Sequence, residues 1–102
     1  MEEIYKLLKK IKDRGERAAL ATVIRAQGST PREVGAKMLV LQNGEIVGSV
    51  SGGCVEAEVY AEARQVIRTG QPKTLSFQLT AEKAWDSGLI CGGSIEVFIE
   101  PV

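Results

Sequence analysis

The 102-residue chain contains no histidine, and its two cysteines are Cys54 and Cys91. The absence of histidine excludes His-based acid–base catalysis, Cys–His and Ser–His dyads, and most designs of zinc or copper site. Two cysteines in such a chain are more typical of free thiols than of a structural disulfide. The sequence therefore predicts two free thiols and no imidazole chemistry.

An excess of charge of one sign and long apolar runs are missing as well. Thirteen basic residues balance thirteen acidic ones, which argues against a general nucleic-acid-binding protein. No apolar run approaches the roughly 20 residues needed to cross a bilayer, and the first residues do not resemble a signal peptide. We therefore expect a cytoplasmic protein with neither nucleic-acid nor membrane partners. The core that a chain of 102 residues can bury leaves little surplus stability, which favours a homo-oligomer.

Hydrophobic periodicity predicts two helices. The first, over residues 3–13, carries its apolar residues at spacings of three and four, namely Ile4, Leu7, Leu8 and Ile11. The second, over residues 54–69, has one apolar face, formed by Val55, Val59, Ala63, Val66 and Ile67. Gly15 and Gly70 follow these segments as predicted C-terminal caps.

Five segments are predicted as strands: residues 18–24, which we expect to be buried on both faces, 37–41, 45–50, 74–79 and 94–100. The stretch Gln42-Asn43-Gly44 joins the second and third strands, and its Asn-Gly pair predicts a hairpin because both residues accept positive φ. Long loops are expected over residues 26–37 and 80–93. We predict one domain over residues 1–102 of α/β or two-layer α+β class, with helices packed on a mixed sheet of about five strands. The second helix is predicted to be a crossover between parallel neighbours.

Two segments combine a Gly-Gly pair with one cysteine and one serine: Ser51-Gly52-Gly53-Cys54 and Cys91-Gly92-Gly93-Ser94. Glycines let the backbone approach a ligand closely. The first pair opens the second predicted helix, whose free N–H groups suit a phosphate or an oxyanion. Cys54 lies in the first turn, where the helix dipole favours a thiolate. A thiolate suits a soft metal, sulfur transfer or disulfide exchange.

Three interpretations of the cysteines follow from the residues. The thiols can line a common site, they can cycle through a disulfide, or they can be inert fillers of the core, as free cysteines often are. The disulfide requires Cα atoms within about 7 Å, and no Cys-x-x-Cys motif supports it. The inert alternative corresponds to a structural or interaction module.

The loop over residues 26–37 is a second candidate, because Arg32 or Lys37 can pair with a phosphate. Neither Gly-rich loop matches the P-loop or the Rossmann glycine pattern. Trp85 can stack on a flat heterocycle, although a lone tryptophan is more often a filler of the core. For Glu56, Glu58 and Asp86 we expect solvated carboxylates rather than catalytic acids.

Taken together, these segments resemble the N-terminal domain of the XdhC/CoxI family, maturation factors for molybdenum hydroxylases such as xanthine dehydrogenase and carbon monoxide dehydrogenase. The resemblance covers about residues 15–102. The matching stretches are residues 21–25, Gly28 to Arg32, Gly35 to Val40, Gly48 to Glu56 and Trp85 to Pro101. Many members carry a second, Rossmann-like domain, which we expect to be absent from this chain.

The resemblance implies a chaperone rather than a free-standing enzyme. It would bind the molybdenum cofactor transiently, as molybdopterin or its dinucleotide form, while a cysteine desulfurase supplies the terminal sulfur, and pass it to the hydroxylase apo-enzyme. It also implies a separate Rossmann-domain subunit or a homo-oligomer in place of the second domain. The implied cofactor-binding residues are Cys54, which can also contact the molybdenum, Cys91, Ser51, Gly52, Gly53, Gly92, Gly93, Arg32 and Lys37.

Overall fold

The computed structural model describes residues 2–27, 34–50, 53–78 and 94–102 of the chain. These residues form two helices and five strands. In chain order they are α1 (Glu2–Arg14), β1 (Ala18–Gln27), β2 (Lys37–Leu41), β3 (Ile46–Gly48), α2 (Gly53–Thr69), β4 (Lys73–Gln78) and β5 (Ser94–Pro101). The α/β class and the two helices and five strands are therefore confirmed. The loop expected over residues 80–93 lies outside the described residues.

The five strands form one sheet in the order β3-β2-β1-β5-β4, and every neighbouring pair is antiparallel. The mixed sheet was therefore a wrong prediction. The helix α2 leaves β3 at one edge of the sheet and leads into β4 at the opposite edge. It crosses the whole sheet instead of joining parallel neighbours, so the predicted crossover between adjacent strands was also wrong.

The two helices pack on opposite faces of the sheet, which gives three layers and corrects the two-layer alternative. Alternation along β1 explains this arrangement, because successive side chains of a strand point to opposite faces. Ala19, Ala21 and Val23 belong to the core beneath α2, whereas Ala18 and Leu20 belong to the core beneath α1. The prediction that β1 is buried on both faces is confirmed up to Val23.

Both predicted helical faces are confirmed by burial. Ile4 and Ile11 of α1 are buried, and Leu7 and Leu8 pack against the same cluster. The predicted apolar face of α2 is buried in the other cluster, as Val55, Val59, Ala63, Val66 and Ile67. Fully burying a valine or an isoleucine contributes about 1.5–3 kcal/mol, so these two faces hold the layers together.

The end of α1 is a Schellman cap centred on Gly15, as the sequence predicts. Gly15 has φ of +69°. Its N–H bonds the carbonyl of Lys12 over 3.2 Å, and the N–H of Glu16 bonds the carbonyl of Ile11 over 3.0 Å. These are the two hydrogen bonds that define the motif. Gly70 caps α2 in the simpler way, with its N–H donated to Val66 over 2.8 Å.

The hairpin that the sequence predicts over Gln42-Asn43-Gly44 joins β2 and β3. Gly44 has φ of +95°, whereas no described non-glycine residue, Asn43 included, has a positive φ. The N–H of Gly44 bonds the carbonyl of Leu41, and the N–H of Leu41 bonds the carbonyl of Glu45, each over 2.9 Å. This is the three-residue turn in which glycine alone takes the left-handed position. The Asn43 side chain accepts the Glu45 N–H instead.

A bulge in β1 changes the face on which its last residues lie. Val23 pairs with Val97 but Arg25 pairs with Glu96, so Ile24 is the extra residue. Ile24 is 46% exposed, which corrects the expectation that it is buried. The strand continues to Gln27, where the sequence predicts a loop. Because cross-strand partners share a face, the bulge places Arg25 on the face opposite α2.

Candidate functional site

One end of the sheet gathers the strand ends that flank all three candidate segments. Gln27 and Gln78 both pair with Ser94, and Gly48 pairs with Met38 near the start of β2. The strands β1, β3 and β4 therefore end here, and β2 and β5 begin here. We call this the site end of the sheet and define it by Gln27, Lys37, Gly48, Gln78 and Ser94. The loop over 26–37, the first Gly-Gly segment and the segment 79–93 are all anchored at it.

The helix α2 begins at the site end, since Gly53 follows Gly48 by a short connection. Val50 and Val55 are both fully buried in the core beneath α2, so the start of the helix is fixed from both sides. The Ser49 hydroxyl donates to Oε2 of Glu56 over 2.8 Å. This bond ties the end of β3 to the first turn of α2. The positive end of the helix dipole, which favours an anion, is thereby held at the site end.

The two predicted site residues at the start of α2 occupy the positions that the sequence predicts. Gly53 is the first residue of the helix and Cys54 is the second. Six further predicted site residues lie outside the described residues, namely Ser51, Gly52, Arg32, Cys91, Gly92 and Gly93. The expectation that the two thiols approach each other therefore stays a prediction.

Lys37 lies at the same end of the sheet but on the other face. Its neighbour Met38 belongs to the core beneath α2, so the Lys37 side chain projects from the opposite side. There its Nζ donates to Oγ1 of Thr22 over 3.1 Å. Thr22 is its cross-strand partner. The structure thus brings Lys37 to the site end, but it does not place Lys37 beside Gly53 and Cys54.

The carboxylates that the sequence singles out have structural partners. Glu56 is half-buried and accepts the Ser49 hydrogen bond. Glu58 is exposed and also has an interaction partner. The bond between Glu56 and Ser49 supports the start of α2. Asp86 and Trp85 lie outside the described residues. Within the described parts of the chain, no group of three or more Cys, Asp or Glu residues is placed to hold a metal ion.

Sequence reasoning missed a concavity at the site end. A cavity of about 280 Å³ lies over the ends of β1, β4 and β5. Its charged residues are Arg25 and Glu96, which form an ion pair over 3.8 Å. The alternation of Ser94, Glu96 and Phe98 along β5 shows that these residues share a face. The bulge at Ile24 has no comparable sequence signal, so Arg25 could not be assigned to that face.

No helix in the described ranges is both long and apolar enough to cross a membrane.

Comparison with known proteins identifies the family. Residues 11–78 match the XdhC and CoxI family. The chain belongs to the XdhC and CoxI family. The matched range contains β1 to β4 and α2, and therefore Lys37, Gly53 and Cys54. It ends before Cys91.

Three relatives illustrate the likeness of this chain to known proteins. A probable xanthine dehydrogenase subunit of Bacillus subtilis is 30% identical over the whole chain, which covers 32% of that protein. The molybdenum cofactor insertion chaperone PaoD of Escherichia coli is 36% identical over 79% of the chain, which covers 25% of PaoD. The uncharacterized E. coli protein YqeB is 38% identical over 79% of the chain, which covers 15% of YqeB.

A solved structure shares the fold of this chain. A crystal structure described as a xanthine dehydrogenase from Bacillus halodurans superposes with a TM-score of 0.79 at 34% identity. The match covers 95% of this chain and 30% of that one. The XdhC and CoxI domain described here thus spans a third or less of the relatives that it matches.

Proposed function

We propose that this domain binds the molybdenum cofactor and acts as an insertion chaperone in the maturation, including sulfuration, of enzymes of the xanthine dehydrogenase or carbon monoxide dehydrogenase type. One structural observation carries the proposal. The first turn of α2, with Gly53 and Cys54, begins at the same end of the sheet that anchors the other two Gly-rich segments. The name of PaoD as a molybdenum cofactor insertion chaperone supports the choice of cofactor.

The residues at the site end fit the chemistry of this cofactor, which is an anionic pterin dithiolene with a phosphate. The N–H groups at the start of α2 can bind an anionic group, because they lack partners within the helix. Gly53, and with it Gly52, Gly92 and Gly93, would allow close approach of the backbone. When bound, the cofactor supplies the molybdenum centre that the recipient enzyme uses.

The thiols carry the remaining part of the proposed role. Cys54 is our first choice for contact with the metal or its sulfur ligand, since thiolates prefer soft partners. Cys91 is the second choice. Ser51 and Arg32 are assigned to the surroundings of the cofactor. The Lys37 ammonium projects from the face of the sheet opposite α2. It is therefore assigned to a phosphate of the cofactor that reaches beyond the site end to that face.

The partners in this proposal follow from the same role. A cysteine desulfurase delivers the terminal sulfur while the domain holds the cofactor, in its pterin or dinucleotide form, for a short time. The domain then transfers the cofactor to the hydroxylase apo-enzyme. A separate Rossmann-domain subunit or a second copy of the chain completes the binding cleft. The domain itself catalyses no reaction in this scheme, and it resides in the cytoplasm.

Co-purification tests the proposal. The protein is isolated anaerobically, with its native partner, from cells that make the cofactor, and molybdenum and pterin are measured per mole of folded protein. We expect Cys54→Ala to lose most of the bound cofactor and Cys91→Ala to lose less. The exposed Arg68→Gln at the other end of α2 is the matched control and retains it. A wild-type protein without cofactor, or a Cys54→Ala variant with normal content, would overturn the proposal.

A further inference from the structure

A polar pocket lies on the face of the sheet that α2 does not cover. It has a volume of about 280 Å³. Its lining residues are Arg25, Gln27, Ser76, Phe77, Ser94, Ile95 and Glu96. Arg25, Glu96 and Ser76 form one cross-strand row, and Gln27 and Ser94 belong to the next. Phe77 and Ile95 alternate with these residues and belong to the core beneath α2, so the five polar side chains project from the opposite face.

The charged pair in this pocket leaves acceptor capacity open. The Arg25 guanidinium lies 3.8 Å from the Glu96 carboxylate, whereas a hydrogen-bonded pair of this kind lies at about 2.7–2.9 Å. The side chains of Arg25 and Glu96 are 63% and 36% exposed. A carboxylate accepts through two oxygens, so Glu96 can take two further hydrogen bonds from a ligand without displacing Arg25.

The neutral polar side chains around Glu96 are also available to form hydrogen bonds with a ligand. Among the residues that the structure describes, the Gln27 amide and the Ser76 and Ser94 hydroxyls make no side-chain hydrogen bond. An amide and a hydroxyl both donate and accept. The pocket therefore presents one carboxylate, one guanidinium and three neutral polar groups above the backbone of the strands.

We infer that this pocket binds the amino-pyrimidinone ring that pterins and guanine have in common. That ring presents a ring N–H and an adjacent amino group, two parallel donors that match the two oxygens of Glu96. Its carbonyl oxygen can accept from Gln27, Ser76 or Ser94, and Arg25 can pair with a phosphate on the same ligand. The inference rests on the proposed function, because it names the part of the cofactor that this pocket recognises.

The size and chemistry of the pocket set limits on the ligand. Small-molecule sites usually enclose about 300–1,000 Å³, so a pocket of about 280 Å³ holds one ring system and not a whole dinucleotide. Adenine lacks the two parallel donors, and its binding would leave Glu96 unpaired. Sites built on hydrogen bonds reject analogues that cannot make them, so the pocket discriminates guanine from adenine.

Titration of the intact protein tests the inference. The probes are a soluble pterin, GMP, AMP and inorganic phosphate, followed by backbone NMR shifts at Ser94 and Glu96. We expect pterin or GMP to shift these signals, and AMP to bind at least about tenfold more weakly. Glu96→Gln should weaken the binding about tenfold or more, because the amide nitrogen cannot accept a hydrogen bond. Tighter binding of the pterin assigns the pocket to the pterin, and tighter binding of GMP assigns it to the nucleotide arm.

The matched control is Glu100→Gln, which changes a half-buried glutamate of the same strand outside this pocket. Both variants should melt within a few degrees of wild type and only Glu96→Gln should lose ring binding. Equal binding of AMP and GMP, binding of phosphate alone, or an unaffected Glu96→Gln variant would overturn the inference. If wild type retains the molybdenum cofactor but neither ring probe binds, the inference fails and the proposed function stands. If the ring probes bind but no cofactor is retained, the proposed function fails alone.

Discussion

The Ser49 hydroxyl donates a hydrogen bond to Oε2 of Glu56 over 2.8 Å, and this bond fixes the first turn of α2 against the end of β3. A half-buried side-chain hydrogen bond of this kind contributes about 0.5–1.5 kcal/mol. Glu56 also lies at the positive end of the helix dipole, which adds about 0.3–1 kcal/mol. Both effects act at the proposed cofactor site.

We therefore expect Glu56→Ala to lower the free energy of unfolding by about 1–2 kcal/mol in urea titrations. The control is Glu3→Ala, which removes an exposed first-turn glutamate of α1. That variant loses only the interaction with the dipole, so it should cost about 1 kcal/mol less. Equal losses for the two variants would show that the bond to Ser49 contributes nothing.

Gly48 is a second residue on which the structure of the site end depends. It has φ of +84°, and a Cβ there would clash with the Lys37 carbonyl oxygen and lie 2.9 Å from Cδ1 of Ile4. Gly35 has φ of +96° with nothing within 4 Å of its Cβ position. A left-handed conformation costs an L-residue about 1–2 kcal/mol, and overpacking adds about 1–3 kcal/mol.

Gly48→Ala should therefore destabilise the protein by about 2–5 kcal/mol, and Gly35→Ala by about 1–2 kcal/mol. Denaturant midpoints measure both, and the difference isolates the steric clash from the backbone strain. Similar midpoints for the two variants would contradict the close approach of β2, β3 and α1 at Gly48.

The layer formed by α1 should affect stability without affecting cofactor binding. Ile11 is 2% exposed and lies in the core beneath α1, on the face away from α2. Ile11→Val should lower the free energy of unfolding by about 0.5–1.5 kcal/mol. Cofactor retained per folded molecule should stay at the wild-type level. Tyr5→Ala, at a 55% exposed position of the same helix, should stay within about 0.5 kcal/mol of wild type. Loss of cofactor in folded Ile11→Val would tie α1 to the site.

The position of Cys54 in the first turn of α2 predicts a reactive thiol, because helix N-termini favour the thiolate. In a Cys91→Ser background, iodoacetamide at neutral pH should modify Cys54 several-fold faster in the native protein than in urea. Glu56→Gln removes a negative charge two residues away and should increase the native rate further. A native rate below the unfolded rate would instead favour Cys54 as an inert filler of the core.

Much of the fold is predictable because single elements carry clear periodicity. The apolar residues of α1 and α2 all recur at helical spacing, and each predicted face is buried. The run Ala18–Val23 is apolar at nearly every position, which correctly indicates a strand covered on both faces. This run also implies the three layers that the two-layer alternative overlooked, because a strand with two buried faces needs a partner on each.

Strand order and face assignment were less accessible to sequence reasoning. The helix α2 has the length of an ordinary crossover, and nothing in its residues shows that it spans from one edge of the sheet to the other. The bulge at Ile24 leaves no mark in the sequence, so the sequence does not show on which face of the sheet Arg25 lies. The pairing of Lys37 with Thr22, on the face away from α2, depends on the register of β1 and β2, which one sequence does not show.

Hydrogen–deuterium exchange on the full-length protein, with and without the molybdenum cofactor, tests the central claim most directly. The claim is that the cofactor binds at the site end of the sheet. Bound cofactor should slow exchange at residues 53–56 of α2 and at the start of β5. The turn formed by Gln42, Asn43 and Gly44, at the opposite end of the sheet, should exchange at an unchanged rate. Protection confined to that turn or to α1, or no protection anywhere, would contradict the claim.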